Sequence, residues 1–234
     1  MKRYLPFVII AAVLVVFVAG GFWLFRSSNE GAGPGGPVAG SSPSGSPAPA
    51  RTGSPAPGAN PPRQKGDEAA PVVLEEFGDF QCPPCGALDP EMRRIEAEYG
   101  DKVRVVFRNF PLPRLHRNAV DAARAAEAAG QQNKYWEMHE TLYDKQGEWT
   151  VMPDPRPVFE SYARRLGLDV DRFKSDMDGI VVNTRITSDV ARGDSLGVKG
   201  TPTLFVNGRE MSANDMTPAG IRSAVDDLLK GKGK

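Results

Sequence analysis

The stretch Val72-Val73-Leu74-Glu75-Glu76-Phe77-Gly78-Asp79-Phe80-Gln81-Cys82-Pro83-Pro84-Cys85 decides how the rest of this 234-residue chain is read. Its first six residues form a mostly apolar run of strand length, and the two cysteines follow within a few residues. Behind them Leu88, Met92, Ile95 and Tyr99 recur at spacings of three and four, which predicts a helix with one apolar face, closed by Gly100. Val103-Arg104-Val105-Val106-Phe107 is the next strand. The unit is strand, helix, strand, and its strands are expected to pair in parallel. Cys82 thus falls where the first strand ends and the helix begins.

That position matters chemically. Unpaired backbone N–H groups and the macrodipole at a helix start stabilise a thiolate, and a second cysteine one turn later is close enough to form a disulfide with it. The spacing makes Cys82 the exposed nucleophile and Cys85 the less exposed thiol that resolves a mixed disulfide. These are the only two cysteines in the chain, so no second pair is available to staple distant segments. Two bland readings stay open. Half of a zinc site needs two further ligands, for which His116 and His139 are the only imidazoles. A purely structural disulfide would close too short a loop to add much stability. Pro83 and Pro84 remove two backbone donors from the first turn, so the Cys82 pKa is expected below that of a free thiol but above the lowest values such sites reach.

Working outward, residues 112–196 carry only helical signals: an Ala-rich run at Ala119–Ala129, then Tyr135–Tyr143, then Phe159, Tyr162 and Ala163, then Val182, Ile186 and Val190 on one face. Strand character returns at Thr203-Leu204-Phe205-Val206, where Asn207-Gly208 suits a type I′ turn into Arg209-Glu210-Met211. Thr217-Pro218 reads as an N-cap with proline at the first helical position, opening a last helix through Ile221, Val225 and Leu228. The pattern is an α/β domain over residues 67–234 with a helical block inserted at about 112–196.

The amino-terminal third is different. Residues 5–25 are uncharged and long enough to cross a bilayer, which assigns residues 1–26 as a membrane anchor. Lys2 and Arg3 outweigh Arg26, so a single-pass arrangement is expected with a cytoplasmic N-terminus and an extracytoplasmic domain. A cleaved signal peptide is the competing reading. Residues 27–66 are rich in Pro, Gly, Ser and Ala, which predicts a disordered linker spanning on the order of 35 Å. Lys plus Arg and Asp plus Glu both number 29, so there is no basic field of the kind nucleic acid demands.

Three segments together resemble a known family: Glu76 to Cys85, Asn109-Phe110-Pro111-Leu112, and Gly200-Thr201-Pro202-Thr203. They look like the DsbA-like branch of the thioredoxin superfamily, and the resemblance runs from about Pro71 to Leu229. It implies a thioredoxin fold with a helical insertion and a cis proline at Pro202 facing the cysteines. Thr201 would then offer backbone groups to a bound substrate chain, with Pro83 and Pro84 at the same surface. It also implies that Glu76 is the buried acid that passes protons to the resolving thiol, although Glu75 is the inward residue if the strand's faces are reversed. Pro90 matches the proline that kinks the active-site helix, while the family's histidine between the cysteines is missing here. The implied activity is thiol–disulfide exchange, most simply oxidation, in exported proteins, with a membrane redox partner for recycling and no metal or cofactor. A dedicated reductase and a tethered holdase are the alternatives.

Overall fold

The structure is a computed structural model that describes residues 54–231. Its strands and helices run, in chain order, β1 (Arg63–Lys65), β2 (Val72–Gly78), α1 (Pro83–Tyr99), β3 (Val103–Asn109), α2 (Ala119–Gly130), α3 (Tyr135–Asp144), α4 (Gln146–Trp149), α5 (Arg156–Arg165), α6 (Val170–Asp178), α7 (Ile180–Leu196), β4 (Thr203–Val206), β5 (Arg209–Glu210) and α8 (Pro218–Leu229). The strands form one sheet in the order β1-β3-β2-β4-β5. β2 and β3 pair in parallel from Val72 opposite Val103 to Gly78 opposite Asn109, while β1, β4 and β5 join antiparallel. This is the expected strand–helix–strand unit, with the helical block emerging after β3 and returning at β4.

Successive residues of a strand point to opposite faces, and β2 uses both. Val72 and Leu74 pack with Leu88, Met92 and Ile95 of α1 and with Ile221 and Val225 of α8. On the other face Phe77 joins Phe110, Val198 and Phe205, against which Val190 and Leu196 of α7 close. The remaining insert helices build a third cluster around Trp149, Phe159, Tyr162 and Phe173, and this cluster includes both cysteines and Phe80. The redox motif is therefore roofed by the insertion.

Local signals behave as their chemistry dictates. Asn207 and Gly208 both have positive φ, at 46° and 77°, as a type I′ turn requires. The Thr217 side chain caps α8 by accepting the Gly220 N–H at 3.1 Å. The sequence reading omits α6, whose apolar face is only Phe173 and Met177; Asp169 caps it by accepting the Arg172 N–H.

The linker boundary needs correction. Residues 63–65, assigned to the disordered segment 27–66, form the edge strand β1, and Ala59 is buried. Composition misses this because polar bonds rather than apolar burial hold the segment. Arg108 donates to the Ala59 carbonyl, Arg192 to that of Ala56, and Asp189 accepts the Ala59 N–H. The anchor at 1–26 and the linker up to residue 53 lie outside the described residues. Among the described residues no helix is long and apolar enough to cross a membrane.

Candidate active site

Cys82 is the N-cap of α1 in extended conformation, followed by the two prolines, and its carbonyl accepts the first helical bond from Gly86 N–H at 3.1 Å. A carbonyl-capping role with no side-chain cap leaves the sulfur free for chemistry. The turn before it is shaped by Asp79. One carboxylate oxygen accepts the Gln81 N–H at 2.8 Å; the other accepts the Leu112 N–H at 2.9 Å and lies 2.8 Å from His116 Nδ1. Pro90 interrupts α1 internally, as the resemblance implies.

The insertion clamps this turn through amides. Gln146 Nε2 donates to the carbonyls of Phe80 and Cys82, at 2.8 and 2.9 Å. Gln81 donates to the Thr150 carbonyl and accepts the Asn118 N–H. The space is tight, since a Cβ at Gly86 would stand 2.7 Å from Gln146 Oε1. Gln81, Gln146 and Asp79 are given no role by the sequence reading, and His116 is weighed there only as a zinc ligand, because their partners lie far along the chain.

The expected residues do converge. The Thr201–Pro202 bond is cis, and Cys82 Sγ donates to the Thr201 carbonyl at 3.2 Å. Pro83 and Pro84 are exposed at the surface beside them. One expectation is revised: Cys82 is only 4 % exposed, against 0 % for Cys85, because the Thr201 loop and the insertion cover the sulfur. The pair is present as two free thiols.

The two sulfurs are electrostatically unequal. The Cys85 thiol donates to Cys82 and brings its pKa down to about 6, assisted against burial by the Thr201 hydroxyl and the Cys85 N–H. Burial drives Cys85 in the opposite direction, far above a free thiol, reinforced by its bond to Cys82 and by the Glu76 carboxyl. Glu75 and Glu76 are resolved by strand parity. Glu75 is buried, but bonds from Arg192 and Arg108 outweigh that burial and hold its pKa low. Glu76 shares the face of Val72 and Leu74, is 4 % exposed, and is raised to about 8 by burial, then by Asp89 and Cys82.

The zinc reading has His116 on Asp79 and His139 inside an aromatic cage of α3, Phe80 and Phe107, not beside the sulfurs as a ligand pair. Among the described residues no group of three or more His, Cys, Asp or Glu is arranged to hold a metal ion.

Comparison with known proteins bears on the family and the fold. The thioredoxin family profile matches residues 59–227. A Na(+)/H(+) antiporter NhaA 1 of Salinispora arenicola is 44 % identical over 146 residues, which are 62 % of this chain and 21 % of that protein. The chain thus spans about a fifth of the length of the curated relatives it matches. Among solved structures, a thioredoxin-like oxidoreductase from Silicibacter pomeroyi is 28 % identical with a TM-score of 0.59, covering 72 % of this chain and 92 % of that one. The thiol-disulfide exchange protein alpha-DsbA2 of Wolbachia pipientis shares the fold at 22 % identity and a TM-score of 0.60, covering 71 % and 87 %. The chain belongs to the thioredoxin family and has the helix-inserted fold of DsbA-type thiol–disulfide oxidoreductases.

Proposed function

We propose that this chain is a thiol–disulfide oxidoreductase that exchanges disulfides with exported proteins through Cys82 and Cys85. The observation that carries the reading is the placement of Cys82 at the N-cap of α1 with its Sγ 3.2 Å from the Thr201 carbonyl and Cys85 buried one turn on, an arrangement that favours thiolate at Cys82 and thiol at Cys85. A thiolate at Cys82 attacks a substrate disulfide and forms a mixed disulfide; Cys85 then loses its proton, attacks Cys82 Sγ and expels the substrate thiolate. Glu76, on the Cys85 side of the sheet and raised to about 8, takes that proton in its ionised form. Backbone groups at Thr201, with Pro202, Pro83 and Pro84 around them, offer an extended substrate chain a place beside the sulfur. No metal or cofactor is called for.

The same values support oxidation as the direction. A Cys82 pKa of about 6 lies between those of thioredoxin and DsbA, so the reduction potential should fall between about −270 and −120 mV. Such a couple oxidises substrates when a membrane redox partner keeps it oxidised. The apolar, uncharged residues 5–25 behind Lys2 and Arg3 support insertion in the bilayer, with the domain on the extracytoplasmic side. Equilibration with glutathione, together with trapping by Cys85→Ser, tests the reading. A potential inside that interval and a stable Cys82–glutathione adduct in the variant are expected. Absence of a redox equilibrium, or full binding of unfolded chains after both cysteines become serine, would leave a holdase instead.

A further inference from the structure

Beside Glu76 the sheet, α1 and α3 line a cavity of about 20 Å³. That is room for one water. Glu76, Asp89 and His139 line it, one from each of the three elements. Glu76 Oε1 and both ring nitrogens of His139 are buried with no hydrogen-bond partner among the described residues. Buried polar atoms without partners are few in native proteins and mark a bound water or a functional role.

His139 is otherwise out of place. Its ring is walled by Phe107 at 4.6 Å, Tyr143 and Trp136 at 5.0 Å, and Phe80 at 5.2 Å. A phenylalanine would fill that cage without leaving two polar atoms dry. The imidazole does have one polar neighbour, since its Nδ1 lies 3.6 Å from Asp89 Oδ1. Asp89 in turn pairs with Arg93 at 2.8 Å, and Arg93 with Asp144 at 2.7 Å, where the side chain of Asp144 is 54 % exposed. The polar cluster beside Cys85 therefore reaches the surface at Arg93, whose guanidinium holds Asp89 in place and does not itself carry a proton.

We propose that Glu76, one water in this cavity, His139 and Asp89 form a proton relay between Cys85 and solvent, with His139 and Asp89 as positioning residues supplied by α3 and α1. The inference rests on the oxidoreductase reading above and deepens it. In the resolving step Glu76, protonated for most of the time at neutral pH, first releases its proton into the relay, and the carboxylate so formed takes the proton of the Cys85 thiol. The Cys85 thiolate then forms a bond to Cys82 Sγ, the Cys82–substrate bond breaks, and the substrate sulfur leaves as a thiolate that is protonated from solvent. Glu76 passes its proton to the water. Neutral imidazole takes a proton on one nitrogen as it releases one from the other toward Asp89, and Asp89 discharges to solvent. All steps reverse when the protein oxidises a dithiol.

The surroundings suit that traffic. Burial, then Lys65 and Arg93, hold His139 down to about 3, so it conducts without storing charge. Glu76 at about 8 and Asp89 at about 6 bracket neutral pH. The other groups facing the cavity are Lys65 from β1, Glu96 from α1 and Glu140 from α3, where Lys65 bridges the two acids at 3.4 and 2.8 Å. Tyr143, next to His139 in the cage, keeps its proton because burial, Cys85 and Glu76 raise its pKa well above the ordinary value.

The test separates the two chemical steps. Reduced protein is mixed rapidly with oxidised glutathione from about pH 5 to 9, and acid quenching with mass spectrometry follows formation and decay of the Cys82–glutathione adduct. In His139→Phe and in Asp89→Asn, formation should keep its wild-type rate, while decay at neutral pH should slow by about tenfold or more, less than the roughly 10²–10⁴-fold of a group that meets the reacting atoms because these two act through Glu76. His139→Gln, which restores a donor and an acceptor, should recover part of that rate. Wild-type decay in both variants, or equal slowing of formation and decay, would overturn the relay. Should His139→Phe not fold, as judged by near-ultraviolet circular dichroism, Asp89→Asn decides alone. Failure of the wild type to form the adduct would instead remove the oxidoreductase reading.

Discussion

Glu75 and Glu76 stand one position apart in β2, yet they differ in every neighbour they have. The first sits between two guanidinium groups; the second has an unpartnered carboxyl oxygen on the sulfur side. The Glu76 pKa is raised from the ordinary 4.5 to about 8, so the native state holds a proton there that the unfolded chain has released. Its stabilising contribution is complete below the ordinary carboxylate range and is lost as pH rises toward 8. Urea denaturation of the oxidised protein should therefore show stability declining from pH 5 to 8, and Glu76→Gln should remove the decline above about pH 6, where Asp89 no longer contributes. At pH 8 the variant should be more stable by on the order of 2 kcal/mol, while turning over more slowly. This assignment was half legible in the sequence. Two carboxylates before the cysteines could be seen, and period-two alternation ties Glu76 to Val72 and Leu74, but only the packing of α1 shows which face meets the cysteines. His139 was read in the sequence only as a possible zinc ligand, because its cage adds Phe80 of the redox turn and Phe107 of β3 to Tyr143 of its own helix.

At the scale of single elements, β1 shows how polar contacts order a segment that has almost no apolar residues. It pairs with β3 over three positions, and its Arg63 bonds to Glu127, whose side chain is fully buried in α2. Glu127 also receives Arg185 from α7 and the Asn109 amide from β3. Removing one partner of a buried pair leaves a charge under-compensated. Arg63→Ala should cost about 2 kcal/mol, less than for a lone pair because Arg185 remains, and a lowered urea midpoint with unchanged slope would show it. Elements with periodic apolar residues, such as α1, β3 and α8, were readable from the sequence. Strand β1 and helix α6 were not, since each is fixed by contacts with residues remote in the chain.

Across the whole domain, a second charged network joins the entering segment to the fold. Asp189 accepts from Arg108, from the Ala59 N–H and from the Asn109 N–H, tying α7, β3 and residues 56–59 together. Its carboxyl is buried, and burial alone raises its pKa despite these donors. Asp189→Ala should destabilise the domain by roughly 3 kcal/mol and expose the amide protons of residues 56–65 to faster hydrogen exchange, whereas the labelling of Cys82 should stay the same. The same clamp has a mechanical meaning. Tension on the chain ahead of Ser54 meets guanidinium groups at the carbonyls of Ala56 and Ala59 before it reaches β1. The load passes into Arg192 on α7 and Arg108 on β3, on the face opposite α1, and both guanidinium groups also grip Glu75 of β2, so a pull on the entering chain reaches the redox turn only through that strand.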